Sequence, residues 1–78
     1  MVRVIYHRQK WGVYVNRSVG EQHHLPHAHI LIGRQRVATV FLMTLTYEFV
    51  IESLPDSLCE EIRERQADLL ATWEELNG

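Results

Sequence analysis

The first half of the chain alternates between apolar and polar residues with the two-residue period of β-strands. Val2–His7 is rich in β-branched and aromatic residues, and Trp11–Val15 follows it after a short polar turn. Such segments favour strands, and their close spacing predicts a first hairpin. Trp11, Val13 and Val15 fall on one face of the second strand, because successive side chains of a strand point to opposite sides of the sheet.

A second hairpin is predicted after Pro26. Residues 27–33, HAHILIG, alternate in character, the polar turn GRQR follows, and residues 37–43 return with almost continuous apolar character. Residues 44–53 alternate more weakly and predict either a short edge strand or a turn. As a strand, the first of these segments places Ala28, Ile30 and Ile32 on one face and His27, His29 and Leu31 on the other.

The last third of the chain predicts one amphipathic helix. Pro55 suits the first helical position, Asp56 places a negative charge at the positive end of the helix dipole, and Asn77 with Gly78 provides a stop. Apolar residues recur at helical spacing along this segment, and charged residues occupy the opposite surface. The apolar set is Leu58, Ile62, Leu69, Trp73 and Leu76.

These elements predict a single α+β domain that covers residues 1–78. A small antiparallel sheet of about four strands would carry the C-terminal helix on one face, which gives a two-layer structure. One helix leaves the other sheet face uncovered, and that face would carry His27 and His29. A chain this short buries only roughly 60% of its unfolded surface. We therefore expect a partner or a second copy, in a heteromer or a homodimer.

Composition limits the class of protein. The chain is 46% hydrophobic and 23% charged, and no apolar run approaches the ~18 residues of a membrane span. The first ten residues lack the apolar core and cleavage site of an export signal. Cys59 is the only cysteine, so no disulfide framework or cysteine-based zinc motif can form. We expect a cytoplasmic protein that does not enter a membrane.

Charge is divided unevenly between the two ends of the chain. Residues 1–46 contain six Arg and Lys against one Glu, a net +5, and residues 47–78 contain two Arg against nine acidic residues, a net −7. A chain of this kind can present a positive face to phosphates, or its two parts can neutralise each other in the fold. The residues predicted to contact RNA phosphates are Arg8, Arg17, Arg34 and Arg36, which would otherwise be ordinary solvated side chains.

The acidic surface of the predicted helix gives a second candidate interface. It could cover the basic site of a protein partner, although such a run of charge is usually only the solvated side of a helix. The candidate partner-binding residues are Glu60, Glu61, Glu64 and Asp68.

The segment EQHHLPHAHI, residues 21–30, holds four of the five histidines of the chain. It covers the second half of a predicted loop of about ten residues and the start of the next strand, and loops of that length are often functional. His27 and His29 project to the same side of the strand, so both can reach one phosphate or one metal ion. Pro26 favours an extended Leu25 and stiffens the loop that presents His27.

Three interpretations of this histidine cluster stay open. His27 and His29 could be a catalytic base and acid that cleave RNA through its 2′-hydroxyl, a reaction that requires no cofactor. The cluster could instead bind zinc or another first-row metal. It could also be a surface that contacts a protein partner. The candidate metal ligands are Glu21, His23, His24, His27 and His29.

Several motifs together resemble a bacterial family of small proteins, the domain-of-unknown-function family four-one-six-zero. They are VYVN at residues 13–16, Glu21 followed by Pro-His-x-His at residues 26–29, and a closing helix that contains LL and WE at residues 69–70 and 73–74. The resemblance extends over nearly the whole chain from about Tyr6. The family motif falls on Glu21, Pro26, His27 and His29.

This resemblance implies an α+β fold and a component of a toxin–antitoxin pair with a cognate small protein partner, and it implies no particular reaction. The chain departs from the family at Leu25, where a second proline is common, and in its additional His23 and His24. Our hypothesis is a toxin–antitoxin component that acts on RNA through His27 and His29. The alternatives are a non-catalytic inhibitor or antitoxin-like partner, host-directed or not, and a metal-binding regulator.

Overall fold

The computed structural model describes residues 1–17 and 25–78. The described residues form a five-stranded antiparallel sheet and two helices, which confirms the α+β prediction and adds one strand and one helix to it. The elements are β1 (Val2–His7), β2 (Trp11–Val15), β3 (His27–Ile32), β4 (Gln35–Phe41), β5 (Thr46–Glu48), α1 (Asp56–Glu64) and α2 (Gln66–Asn77).

The strands follow one another in the sheet in the order of the sequence, β1-β2-β3-β4-β5. The predicted bounds of β1 and β2 are confirmed, whereas β4 begins two residues earlier than predicted. The reason is the turn, because Ile32 pairs with Gln35 and only Gly33 and Arg34 lie between β3 and β4. Gly33 has a φ of 60°, which suits the glycine position of a tight hairpin turn.

Both helices pack on one face of the sheet. α2 contacts β1 and β2, and the fully buried side chains of the sheet and the helices form one hydrophobic cluster. Burying each large apolar side chain contributes about 1.5–3 kcal/mol, so this cluster holds the two layers together. Its large members with less than 2% of their surface exposed are Ile5, Val13, Val15, Ile30, Val37, Val40, Leu42, Leu58, Ile62 and Leu69.

The predicted single helix is divided at Arg65, whose φ of −103° and ψ of 17° depart from helical values. Next to this break, the Gln66 Nε2 amide donates a hydrogen bond to the carbonyl of Leu42 at 2.6 Å. The start of α2 is thereby held against the turn that follows β4. Pro55 precedes the first helical residue, since α1 begins at Asp56. Among the described residues, none of the helices has both the length and the apolar character that crossing a membrane requires.

Candidate nucleic-acid interface

The sheet face opposite the helices carries a row of side chains that crosses all five strands. Cross-strand pairing aligns Arg3 with Tyr14, Tyr14 with His29, His29 with Thr39, and Thr39 with Glu48. The neighbours of His29 along β3, Ala28 and Ile30, are 1% and 0% exposed on the helix side. The predicted division of β3 into an apolar face and a histidine face is therefore confirmed.

His27 lies at the rim of the sheet, where the open face meets the helix layer. The centre of its ring is 5.2 Å from that of His29 and 5.0 Å from that of Trp73 in α2. Its Nδ1 lies 2.8 Å from the carbonyl oxygen of Leu25. Because a carbonyl only accepts, Nδ1 carries the proton of the neutral ring and Nε2 is left as an acceptor.

A backbone hydrogen bond at Pro26 helps to position His27. The carbonyl of Pro26 accepts a hydrogen bond from the amide of Leu42 at 2.9 Å. This bond fixes the start of β3 against the end of β4. Leu25 and Pro26 are therefore anchored just before the histidine pair, and the bond from His27 to Leu25 sets the orientation of the imidazole.

His29 has a different hydrogen-bond environment. The side-chain amide of Asn16 donates to His29 Nδ1 at 3.4 Å, an arrangement that places the proton of the neutral His29 ring on Nε2. The two adjacent neutral imidazoles thus favour opposite tautomers, with the proton on Nδ1 in His27 and on Nε2 in His29. Asn16 is itself held by Asn77, whose amide donates to the Asn16 carbonyl at 3.2 Å.

Sequence reasoning did not select Asn16 as a site residue. The sequence feature that could have indicated Asn16 is its position directly after β2, where the chain leaves the sheet beside the start of β3. The Oδ1 atom of Asn16 is buried and has no hydrogen-bond partner within residues 1–17 and 25–78. A buried acceptor beside an imidazole is costly when it has no partner, so this atom can accept a further hydrogen bond.

A groove of about 410 Å³ contains the histidine pair. Arg36, one of the predicted phosphate-binding residues, lines this groove because β4 contains a bulge. Leu31 pairs with Arg36 whereas Ile30 pairs with Ala38, so Val37 is an extra residue in β4. The bulge leaves Val37 in the core and turns Arg36 to the open face. The groove is lined by Leu25, His27, His29, Arg36, Thr39, Phe41 and Phe49.

A second hollow, of about 330 Å³, lies on the open face of the first hairpin. It contains Arg3, Lys10, Tyr6 and Tyr14, none of which the sequence analysis selected as site residues. The guanidinium of Arg3 lies 4.1 Å from the centre of the Tyr6 ring, and Tyr6 is 50% exposed. The sequence does indicate that Tyr14 lies on the open face, because it alternates with the apolar residues of β2 that face the helices. This hollow therefore combines cations with accessible aromatic rings.

The other predicted phosphate-binding arginines lie outside the groove, and all are exposed. Arg34 occupies the tip of the β3–β4 turn, and Arg8 lies in the β1–β2 turn at the same end of the sheet. This end is opposite to His27. Arg17 follows β2 and is at the His27 end. The sheet therefore carries exposed arginines at both of its ends.

The predicted metal ligands are only partly described. Glu21, His23 and His24 lie outside the described residues. Within the described ranges no group of three or more His, Cys, Asp or Glu side chains is placed to hold a metal ion. His27 and His29 would contribute two nitrogen ligands, so zinc binding stays a prediction that depends on residues 21–24.

The acidic helix surface is smaller than predicted. Glu60, Glu64 and Asp68 are exposed, and Asp68 accepts a hydrogen bond from Arg65 Nε at 2.9 Å. Glu61 instead turns toward the sheet and contacts His7 at the end of β1. Three of the four predicted partner-binding residues are therefore accessible on the helix layer, on the opposite side of the molecule from the histidine groove.

The chain matches no protein-family model, no curated protein and no solved structure. The resemblance to the domain-of-unknown-function family stays a prediction.

Proposed function

We propose that the protein is a toxin–antitoxin component that binds single-stranded RNA on its open sheet face and cleaves it with His27 and His29. The observation that supports this proposal is the combination of groups on one uncovered face. Two adjacent imidazoles share a groove with Arg36, beside a second hollow that contains Arg3, Lys10 and two tyrosines.

The hollow of the first hairpin would provide affinity. Aromatic side chains on a sheet stack on unpaired bases, at about 1–3 kcal/mol per base, and this stacking tolerates any sequence. Tyr6 and Tyr14 offer such rings, while Arg3 and Lys10 offer cations for the backbone phosphates. Binding of this kind is sensitive to salt, since each neutralised phosphate releases counterions.

The histidine groove would provide chemistry. His27 Nε2 takes the proton of a ribose 2′-hydroxyl, the 2′-oxygen attacks the adjacent phosphorus, and the bond from phosphorus to the 5′-oxygen breaks. His29 acts as the acid in its imidazolium form: it donates a proton to the departing 5′-oxygen and becomes neutral, while His27 becomes the imidazolium. The products are a 2′,3′-cyclic phosphate and a 5′-hydroxyl end. Arg36 in the same groove stabilises the charge that develops on the phosphate oxygens.

The first test is induction of the gene alone, followed by measurement of growth and total-RNA integrity. We expect the wild type to arrest growth and fragment RNA, and the His27→Ala/His29→Ala variant to do neither while remaining folded. In vitro, a single-stranded RNA with a deoxyribose at the cleavage site should bind normally and resist cleavage. Cleavage of that deoxy substrate, or equal cleavage by the double variant, would refute the mechanism.

An apolar patch supports a second candidate function, that of a non-catalytic protein-binding inhibitor. Leu25 and Met43, 62% and 65% exposed, line a hollow of about 280 Å³. Phe49 is 74% exposed and lines the adjoining histidine groove with Leu25, and exposed patches of this kind mark interfaces. In this case Met43→Glu/Phe49→Glu should abolish capture of the product of the neighbouring gene. Glu60→Lys/Glu64→Lys, on the helix layer, should not. The reverse result would move the interface to the acidic helix surface.

A metal-binding regulator is tested separately. Protein purified without a histidine tag should contain stoichiometric zinc or nickel, and added zinc should raise the melting temperature by mass action. Metal-free protein whose melting temperature is unchanged by zinc would exclude this function.

A further inference from the structure

A second group of reactive side chains lies where the end of β1 meets α1, away from the open face. His7 Nε2 is 3.0 Å from Ser57 Oγ, and His7 Nδ1 is 2.6 Å from Glu61 Oε1. The side chain of His7 is 12% exposed and that of Glu61 is 33% exposed. The imidazole is thus held between a hydroxyl and a carboxylate in a largely enclosed position.

The hydrogen bonds define the role of each atom. An ionised carboxylate only accepts, so the neutral His7 ring carries its proton on Nδ1 and directs it to Glu61. Nε2 is then an acceptor, and the Ser57 hydroxyl donates to it. This order, a carboxylate on Nδ1 and a serine hydroxyl on Nε2, is the arrangement that activates serine as a nucleophile on several unrelated folds.

The elements explain how three distant residues meet. Ser57 and Glu61 are one turn apart on α1 and therefore lie on the same side of the helix. His7 is the last residue of β1, so its ring reaches both of them. The sequence separations of 50 and 54 residues hide this cluster from any local pattern.

The position of Ser57 adds a means of stabilising an oxyanion. Ser57 is the second residue of α1, and the first amides of a helix have no acceptor within it and lie at the positive end of its dipole. The amides of Leu58 and Cys59 donate to the Pro55 carbonyl, which leaves the Ser57 amide as the nearest candidate donor for an oxyanion. Ser57 also keeps part of its surface open to solvent.

We propose that Ser57, His7 and Glu61 form a second active site, which hydrolyses small carboxylic esters through an acyl-serine. Ser57 Oγ attacks the carbonyl carbon while its proton moves to His7 Nε2. The ester C–O bond breaks, and the leaving alcohol takes that proton. Water then attacks the acyl group, gives a proton to His7, and releases the acid as Ser57 recovers its hydroxyl. Glu61 positions the imidazole and stabilises its charged form.

The test treats the purified full-length chain with a fluorophosphonate, followed by peptide mass spectrometry, and measures 4-nitrophenyl acetate hydrolysis in parallel. We expect one adduct, on Ser57, and a rate that falls to the buffer background in Ser57→Ala. Glu61→Gln should reduce the rate about tenfold or more. Ser53→Ala, at an exposed serine outside the helix, should retain both adduct and rate.

The wild-type adduct needs no variant, so the test holds even if Ser57→Ala folds poorly. Absence of an adduct on Ser57, under conditions that label a known serine hydrolase, would overturn the proposal. A lower melting temperature of Ser57→Ala in that case would assign the cluster to a structural link between β1 and α1. The His27→Ala/His29→Ala variant should retain esterase activity. The esterase proposal and the RNA-cleavage proposal can therefore fail independently of each other.

Discussion

Individual residues on the open face have roles that follow from the space around them. Gly12 pairs with Tyr6 and Leu31 in the middle of the first hairpin. A Cβ atom at Gly12 would collide with Cε1 of Tyr14. Glycine therefore allows the Tyr14 ring to lie over the backbone of β2. The aromatic surface proposed to stack on RNA depends on the absence of a side chain at this position.

We predict that Gly12→Ala and Gly33→Ala have different effects. The first forces the Tyr14 ring to move and should weaken binding of single-stranded RNA severalfold. The second adds a Cβ that meets no atom within 4 Å, at a residue whose φ is +60°, so it should cost about 1–2 kcal/mol of stability. Gly33 lines the same hollow, but its Cβ displaces no ring, so affinity should fall less than in Gly12→Ala. Fluorescence polarisation and urea unfolding measure the two effects, and equal RNA affinities for both variants would contradict the role of Tyr14.

Tyr47 of β5 gives a prediction about alkaline pH. Burial, together with a hydrogen bond to Cys59, raises the pKa of the Tyr47 phenol above its ordinary value of 10.0, against a smaller opposing effect of Arg63. Above that pH the unfolded chain releases the proton while the folded chain keeps it. The free energy of unfolding therefore falls as the pH rises.

Urea unfolding at pH 9, 10 and 11 tests this sign. The wild type should lose stability over this range more steeply than Tyr47→Phe, which has no phenolic proton to release. Tyr6→Phe, at an exposed position, is the matched control. Equal slopes for the wild type and Tyr47→Phe would show that Tyr47 ionises alike in the folded and unfolded chains.

At the scale of elements, polar contacts fix how the helices lie on the sheet. Gln66 anchors the start of α2 to the Leu42 carbonyl, and Asn77 anchors its end to the Asn16 carbonyl. The second contact connects α2 to the residue that donates to His29. The helix layer thereby takes part in positioning the histidine groove, although it lies on the other side of the sheet.

We predict that Gln66→Ala lowers stability by about 1–3 kcal/mol, because the Leu42 carbonyl loses its partner in a partly buried position. For a chain of this size, each kcal/mol corresponds to a melting temperature lower by about 4–8 °C. Gln35→Ala, at an exposed glutamine, should change the melting temperature little. Thermal unfolding followed by circular dichroism measures both melting temperatures. Equal values for the two variants would show that the hydrogen bond from Gln66 to Leu42 does not stabilise the fold.

At the scale of the whole molecule, charge is distributed by layer. The cations of the open face include Arg3, Lys10 and Arg36, whereas the exposed surface of the helices is mainly acidic. The division predicted from the sequence, a basic first part and an acidic last part, thus becomes a basic sheet and an acidic helix layer. Such a molecule can attract phosphates to one side despite its net charge of −2.

We predict that Arg36→Ala weakens RNA binding and reduces the slope of log K against log salt by about 0.7, the value for one phosphate on a single strand. Arg63→Ala removes an equally exposed cation from α1 and should leave the slope unchanged. Titrations at several salt concentrations measure both. Equal slopes for Arg36→Ala and the wild type would remove Arg36 from the interface.

The local periodicity of the sequence determined most of the strands, the helical segment and the two faces of the sheet. The two-residue alternation of β1, β2 and β3 is a property of neighbouring residues, so the sequence by itself determined which side chains face the helices and which, like His29, face away. It also located the helical segment, because Leu58, Ile62, Leu69 and Trp73 recur at helical spacing.

Only the tertiary structure decided which of these residues meet. Arg36 reaches the groove because a bulge at Val37 reverses the alternation of β4, and no local pattern distinguishes it from Arg34. The break at Arg65 and the union of His7 with Ser57 and Glu61 likewise depend on contacts between segments far apart in the chain. Periodicity is set by adjacent backbone geometry, whereas register, bulges and the docking of helices are set by packing over the whole molecule.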